Sequence, residues 1–203
     1  MIKAKEDRRT AYSKRIIRES LYDLMKDKPL NKITVTEICE KADVNRSTFY
    51  AYYTDIYDLH QKIIEEFFSI QKSVIKHIRD SIRNKNSLSD FTYGDFYEII
   101  YNYLKTVEEN VELYKFIFNQ NADNAVHANF AKITYQTIKE VLSPVIEEER
   151  AVELRKAFTF VAGGTTALIM TWVEKNCDTP IDELTGFVAR YYYGTFKAHN
   201  MPL

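Results

Sequence analysis

Apolar residues recur at intervals of three and four almost throughout the 203-residue chain, and no stretch alternates convincingly with a period of two. That interval lines up one face of an α-helix, so the chain is expected to be all-α. Only five glycines occur, at 94, 163, 164, 186 and 194, and the first 93 residues contain none. A Walker loop or a dinucleotide fingerprint needs glycines clustered between a strand and a helix. Both are excluded.

The first helix carries Ile17, Leu21, Leu24 and Met25 on one face and stops near Pro29. Thr36 is expected to cap a short helix over Glu37 to Ala42, and Asp43-Val44-Asn45 breaks it. Asn45 then caps a second short helix, Arg46 to Tyr52, and Asp55 caps a long one. The long one repeats Ile56, Leu59, Ile63, Phe67, Ile70, Val74 and Ile78 and reaches about Arg83, on the order of 40 Å at 1.5 Å per residue. Residues 84–95 form the best loop. Further helices are marked by Phe96, Ile100, Tyr103 and Val107, by Leu113, Phe116 and Ile117, and, after a break at 119–124, by Val126, Phe130, Ile133, Thr137 and Val141 up to Pro144. Two long helices close the chain: one through Leu154, Phe158, Val161, Thr165, Leu168 and Trp172, the other, after Pro180, through Ile181, Leu184, Val188, Tyr191 and Thr195.

Charge is unevenly placed. Residues 1–52 carry 12 Lys/Arg against 8 Asp/Glu, while the remainder carries 16 against 21, for an overall net charge of -1. A basic first quarter on a slightly acidic body suits an end that contacts nucleic acid. A chain this long buries roughly 70% of its unfolded surface and needs no staple. Two cysteines, Cys39 and Cys177, fit a reducing, cytoplasmic setting, and Cys39 falls on the buried face of its helix as a core thiol. The four histidines are scattered without metal-ligand spacing, so neither metal nor cofactor is expected. The first ten residues are too charged for a secretory signal. The run Phe158 to Val173 has 16 residues with four threonines and is expected to be a buried helix, leaving no membrane partner.

Residues 36–52 have the anatomy of a helix-turn-helix: two short helices joined by a three-residue turn. Ile38, Ala42, Val44, Phe49 and Tyr53 are spaced to pack the pair together. That leaves Arg46, Ser47, Thr48, Tyr50 and Tyr52 facing outward. A helix so equipped fits the major groove. Arg46 suits a bidentate bond to guanine and Thr48 a base edge or a thymine methyl, while Tyr50 and Tyr52 reach phosphates. The helix start at Thr36 favours an anion, and Lys14 adds charge. Tyr53 is expected in the core.

From Ile33 to Leu59 the chain reads ITVTEICEKADVNRSTFYAYYTDIYDL, which resembles the DNA-binding segment of the tetracycline-repressor (TetR) family of bacterial transcription regulators. The stretch containing Gly163-Gly164, Trp172 and Thr179-Pro180-Ile181-Asp182-Glu183-Leu184 is similar to the ligand and dimer domains of some members. Two departures stand out. Asp43 replaces the usual turn glycine, a change Asp tolerates because it adopts the left-handed conformation more readily than most residues. Ile56 stands where many members carry a lysine, so no phosphate contact is carried over to it.

The resemblance implies a DNA-binding domain over 1–56 and a ligand-binding and dimerisation domain over 57–203. It also implies double-stranded DNA as partner, a homodimer through the last two helices, and release by a small-molecule effector. The mid-helix pair Gly163-Gly164 costs roughly 1 kcal/mol per residue against Ala, and close helix approach is a reason to keep it. Phe187, Val188, Tyr191, Tyr192 and Phe196 spread over more than one face of the last helix, as a partner surface requires. Candidate ligand-lining residues are Tyr101, Tyr103, Tyr114, Phe118, His127, Phe130, Thr166, Met170 and Trp172, an aromatic and mostly uncharged set suited to an apolar or aromatic molecule. Against a repressor stand a co-activator working through protein contacts and a helical enzyme. No segment offers the positioned acid/base pair an enzyme needs, and Glu147-Glu148-Glu149 reads as solvated surface.

Overall fold

The chain is described by a computed structural model covering residues 2–85, 90–118, 139 and 148–200. Eight helices occur among the described residues: α1 (Ile2–Asp27), α2 (Val35–Ala42), α3 (Arg46–Tyr50), α4 (Ile56–Ile82), α5 (Tyr93–Glu109), α6 (Val111–Phe118), α7 (Glu148–Glu174) and α8 (Ile181–Asn200). No strand occurs among them, so the fold is all-α, as the periodicity requires. The series expected from Val126 to Val141, and the break at 119–124, lie outside the described residues.

The chain divides into two compact units. One comprises Met1–Ser69 with Phe116–Val126, the other Ile70–Lys115 with His127–Leu203. In the first, α1 packs on α2 and α2 on α3. Its core holds Ile17, Leu21, Met25, Ile38, Phe49, Leu59, Ile63 and Phe67, all buried. α1 ends at Asp27, two residues before Pro29, because the proline ring disfavours helical backbone in the residue before it.

The start of α2 corrects the sequence expectation. Its cap is Thr34, not Thr36. The Thr34 hydroxyl accepts from the Glu37 N–H at 3.3 Å, and a Glu37 carboxylate oxygen accepts from the Thr34 N–H at 2.9 Å. This reciprocal box needs an acidic residue three positions after the cap, and only Thr34 has Glu37 there. Lys28 donates to the same carboxylate, and its ammonium is the first cause holding Glu37 below its ordinary pKa. At the other end, Asp43 takes the left-handed conformation with φ 51° and ψ 48°. The Val44 N–H then reaches the Cys39 carbonyl at 3.0 Å and satisfies one of the free acceptors at the helix end.

α3 is shorter than the spacing suggested. It ends at Tyr50, and Ala51 and Tyr52 form the turn that follows. Asn45 occupies its cap position, but the side chain makes no capping hydrogen bond, and the first bonds come from the Asn45 carbonyl instead. Asp55 does cap α4, accepting from the Asp58 N–H at 2.8 Å.

In the second unit, α8 packs on α5 and α7, and α5 on α7. Phe91, Phe96, Leu154, Phe158, Ala189 and Phe196 form a core cluster. The buried faces of the last two helices match the expected ones in part. α7 buries Leu154, Phe158, Ala162, Thr165, Ile169, Trp172 and Val173, while Leu168 is exposed and Val161 only half-buried. α8 buries Leu184, Thr185, Val188, Ala189 and Phe196, and leaves Tyr191 57% exposed. Both helices carry apolar residues on more than one face, so spacing alone does not pick the inner one.

The stretch Val152–Glu174 is long and apolar enough to cross a membrane by length and composition alone. It was expected to be buried, and it buries one face only. Phe160 is 84% exposed, Val152 and Leu168 are exposed, and a Cβ added at Gly163 or Gly164 meets nothing within 4 Å. Phe187 and Tyr191 are the exposed aromatics of α8.

Candidate nucleic-acid interface

The interface is built on α3, which is anchored by one side chain. Phe49 is fully buried, and its ring meets Tyr53 at 5.5 Å and Tyr50, edge-on, at 5.6 Å. With Phe49 inward, the neighbouring positions of a 3.6-residue turn face out. Arg46 and Ser47 are exposed, Tyr50 is 49% exposed and Thr48 is half-buried.

Arg46 and Tyr50 sit one turn apart and touch. The guanidinium donates to the Tyr50 hydroxyl at 3.4 Å and lies 5.9 Å from the ring centroid. That hydroxyl is the leading cause of the upward shift of the Arg46 pKa, on a guanidinium that is charged at any physiological pH. An exposed arginine held beside a tyrosine is partly ordered before it meets a partner, which lowers the rotamer entropy lost on binding.

Lys14 of α1 joins from the side, its ammonium 5.3 Å from the centroid of the half-buried Tyr52 ring. Thr36 is exposed in the first turn of α2. Tyr53 is buried as expected. Burial pushes its hydroxyl above the ordinary tyrosine value, with Arg18 working in the opposite direction. Burial likewise pushes the Cys39 thiol up, which keeps it protonated and unreactive.

Two contacts beside the interface carry no sequence signal. Lys62 of α4 donates to the Tyr52 carbonyl at 3.0 Å, and Arg18 of α1 pairs with Glu66 of α4. The i,i+4 spacing from Asp58 marks Lys62 as half of a local ion pair. Nothing in the sequence marks the bond to a carbonyl ten residues earlier.

The candidate ligand residues are placed as follows. Tyr114 is buried, its hydroxyl accepts from Gln71 at 2.8 Å, and it also bonds with Tyr103. Desolvation pushes the Tyr114 hydroxyl up to about 12 and that of Tyr103 well above its ordinary value. Tyr101 is half-buried and stacked on Tyr97 at 6.4 Å. Thr166 donates to the Ala162 carbonyl at 2.9 Å, and Met170 is half-buried. Trp172 is buried, and its indole N–H donates to the Thr179 carbonyl at 2.9 Å. Phe118 is buried within the first unit, whereas the six other described candidates belong to the second. His127 and Phe130 lie outside the described residues. Among the described residues no group of three or more His, Cys, Asp or Glu is placed to hold a metal.

The TetR family model for a transcriptional regulator C-terminal region matches residues 94–193. An HTH-type transcriptional regulator of Bacillus subtilis strain 168, YxbF, itself uncharacterized, is 24% identical over 160 residues, 79% of this chain and 39% of that protein. Residues 94–193, just under half of the chain, thus match the C-terminal region of TetR-family transcriptional regulators. The chain spans well under half the length of the curated relative it matches. Three solved structures share the fold. The dihydroxyacetone kinase operon activator DhaS is 18% identical with a TM-score of 0.51, covering 92% of this chain and 97% of that one. A Clostridium perfringens protein named for fatty acid metabolism regulation is 12% identical with a TM-score of 0.61, covering 88% and 97%. The regulator FadR of Bacillus subtilis, solved in complex with stearoyl-CoA, is 15% identical with a TM-score of 0.51, covering 88% and 97%. At the position where many TetR-family members carry a lysine, this chain buries Ile56.

Proposed function

We propose that this chain is a homodimeric TetR-family repressor that reads a palindromic operator and is released by a small molecule. The observation that carries the reading is the pair Arg46 and Tyr50, exposed together on a helix whose third side, Phe49, is fully buried. Residues 1–56 read DNA, with Arg46, Ser47 and Thr48 at base edges and Lys14, Thr36, Tyr50 and Tyr52 at phosphates. Residues 57–203 hold the effector and the dimer contact.

The exposed apolar residues of α7 and α8, with the open Gly163-Gly164 surface between them in sequence, support a second copy as the partner of those helices. The dimer sets two α3 helices in successive major grooves roughly 34–36 Å apart. The described candidates of the second unit, Tyr101, Tyr103, Tyr114, Thr166, Met170 and Trp172, are aromatic or uncharged and suit an apolar or aromatic effector. The similar structure of FadR, solved with stearoyl-CoA, supports an effector with an apolar chain. Such a ligand displaces α4 and changes the spacing of the two readers, and DNA affinity falls by as much as the ligand's own preference between the two states. The regulator works in the cytoplasm, without a cofactor.

Selection from a random duplex pool, with Arg46→Ala as control, tests the reading. A palindromic winner with steep salt dependence, lost in the variant, is expected. A buried Ile56 in place of lysine favours a second reading, a co-activator that works through protein contacts. Absence of any enrichment at low salt is the result that reading expects.

A further inference from the structure

We propose that Lys62 is a positioning residue for DNA reading: it fastens the segment after α3 to α4 and so fixes the angle at which Arg46 and Tyr50 are presented. The inference rests on the operator-reading function proposed above. The last carbonyls of a helix have no partner within it. Past that end the chain turns, and Tyr52, two residues beyond α3, offers its carbonyl to the Lys62 ammonium, which donates to it at 3.0 Å. The same ammonium donates to Asp58 at 3.0 Å and lies 5.3 Å from the centroid of the Tyr53 ring. Asp58 in turn accepts from the Thr54 N–H at 2.8 Å. Carbonyl, ring and amide of residues 52–54 are therefore held by two side chains from the first two turns of α4.

The contacts continue into the reader. Tyr53 packs on Phe49, and Phe49 packs on the edge of Tyr50, whose hydroxyl accepts from Arg46. On the far side, Arg18 of α1 pairs with Glu66 and acts on the Tyr53 hydroxyl, so that ring is boxed from two helices. An exposed i,i+4 pair such as Asp58–Lys62 contributes little by itself. What distinguishes Lys62 is the bond to a carbonyl of another element, which has one length at one relative placement of α3 and α4. A phosphate-only lysine would need neither the carbonyl nor the ring.

The test uses the full chain, the duplex enriched from the pool and a scrambled duplex of equal length. Fluorescence anisotropy is read across a salt series for wild type, Lys62→Met and Asp58→Asn, and helix content and melting are checked by circular dichroism. Both variants are expected to keep the wild-type helix content and to lower the preference for the enriched duplex roughly tenfold, the scale of one charge-assisted hydrogen bond. Affinity for the scrambled duplex and the salt slope should not fall in Lys62→Met. Removing the negative charge of Asp58 would tighten a complex held by charge alone, so a loss of preference in both variants is an outcome that charge does not produce. Equal weakening on both duplexes in Lys62→Met, with a salt slope reduced by about 1, would overturn the inference and make Lys62 a phosphate contact. An unchanged preference in either variant overturns it as well. A wild-type chain that prefers no duplex overturns operator reading itself, and this inference with it.

Discussion

α3 has five residues and α7 has twenty-seven, and the two are held in place in different ways. In α3 one buried phenyl ring, a left-handed residue before the helix and a lysine after it determine which side chain faces where. In α7 apolar residues surround the helix, and the chain uses one face for its own core while leaving Phe160, Leu168 and the two glycines outside. The comparison separates two uses of apolar surface: an anchor that fixes which side chains face out, and a face left exposed in the single chain.

The largest effect should come from removing the anchor. Phe49→Ala deletes a fully buried ring and is expected to cost about 3–5 kcal/mol of stability, read as a lower urea midpoint, with duplex binding lost. Should Phe49→Ala leave both intact, α3 is aimed by something other than its core contact. Arg46→Ala keeps the fold and removes the outward charge. A loss of roughly 1–3 kcal/mol of base discrimination per site is expected in competition binding, against a scrambled duplex that changes far less.

The open face of α7 is probed by Phe160→Glu. Sedimentation should show monomer at concentrations where wild type is dimeric, while a side chain 84% exposed in the single chain leaves monomer stability within about 0.5 kcal/mol. A dimer unaffected by that charge would move the partner surface elsewhere. The smallest effect is expected at the turn before α3. Asp43→Gly relieves a left-handed conformation that costs an ordinary residue roughly 1–2 kcal/mol, less for Asp, so a gain of about 0.5 kcal/mol is expected after glycine's entropic cost. A destabilised glycine variant would show that the Asp43 side chain does more than tolerate its backbone.

How far the sequence reached follows the same division. Among the described residues, helix existence and order were legible because a three-to-four repeat leaves few alternatives, and the cap at Asp55 and the left-handed Asp43 followed from residue chemistry. The cap at Thr34 was also written in the sequence, in the threonine three residues before Glu37, but Thr36 is the same residue type two positions on and competed with it. The inner faces of α7 and α8 were legible only in part: Leu154, Phe158, Thr165, Trp172, Leu184 and Val188 are buried as the spacing has them, but Val161 and Leu168 are as apolar as Ala162 and Ile169, and only packing against α5 and each other separates them. Lys62 was hidden for a different reason. Its ion pair with Asp58 is local, but its bond to the Tyr52 carbonyl depends on backbone geometry that no residue type encodes.

The indole of Trp172 is the only one in the chain, and it is buried with its N–H tied to the Thr179 carbonyl at the turn into α8. Excited at its red edge, the protein therefore carries a single native emitter in one of its two units, and the unit that carries α3 is dark at that wavelength. Emission colour and quenching would follow the α7–α8 corner alone, so melting of that corner can be timed against loss of duplex binding without attaching any dye.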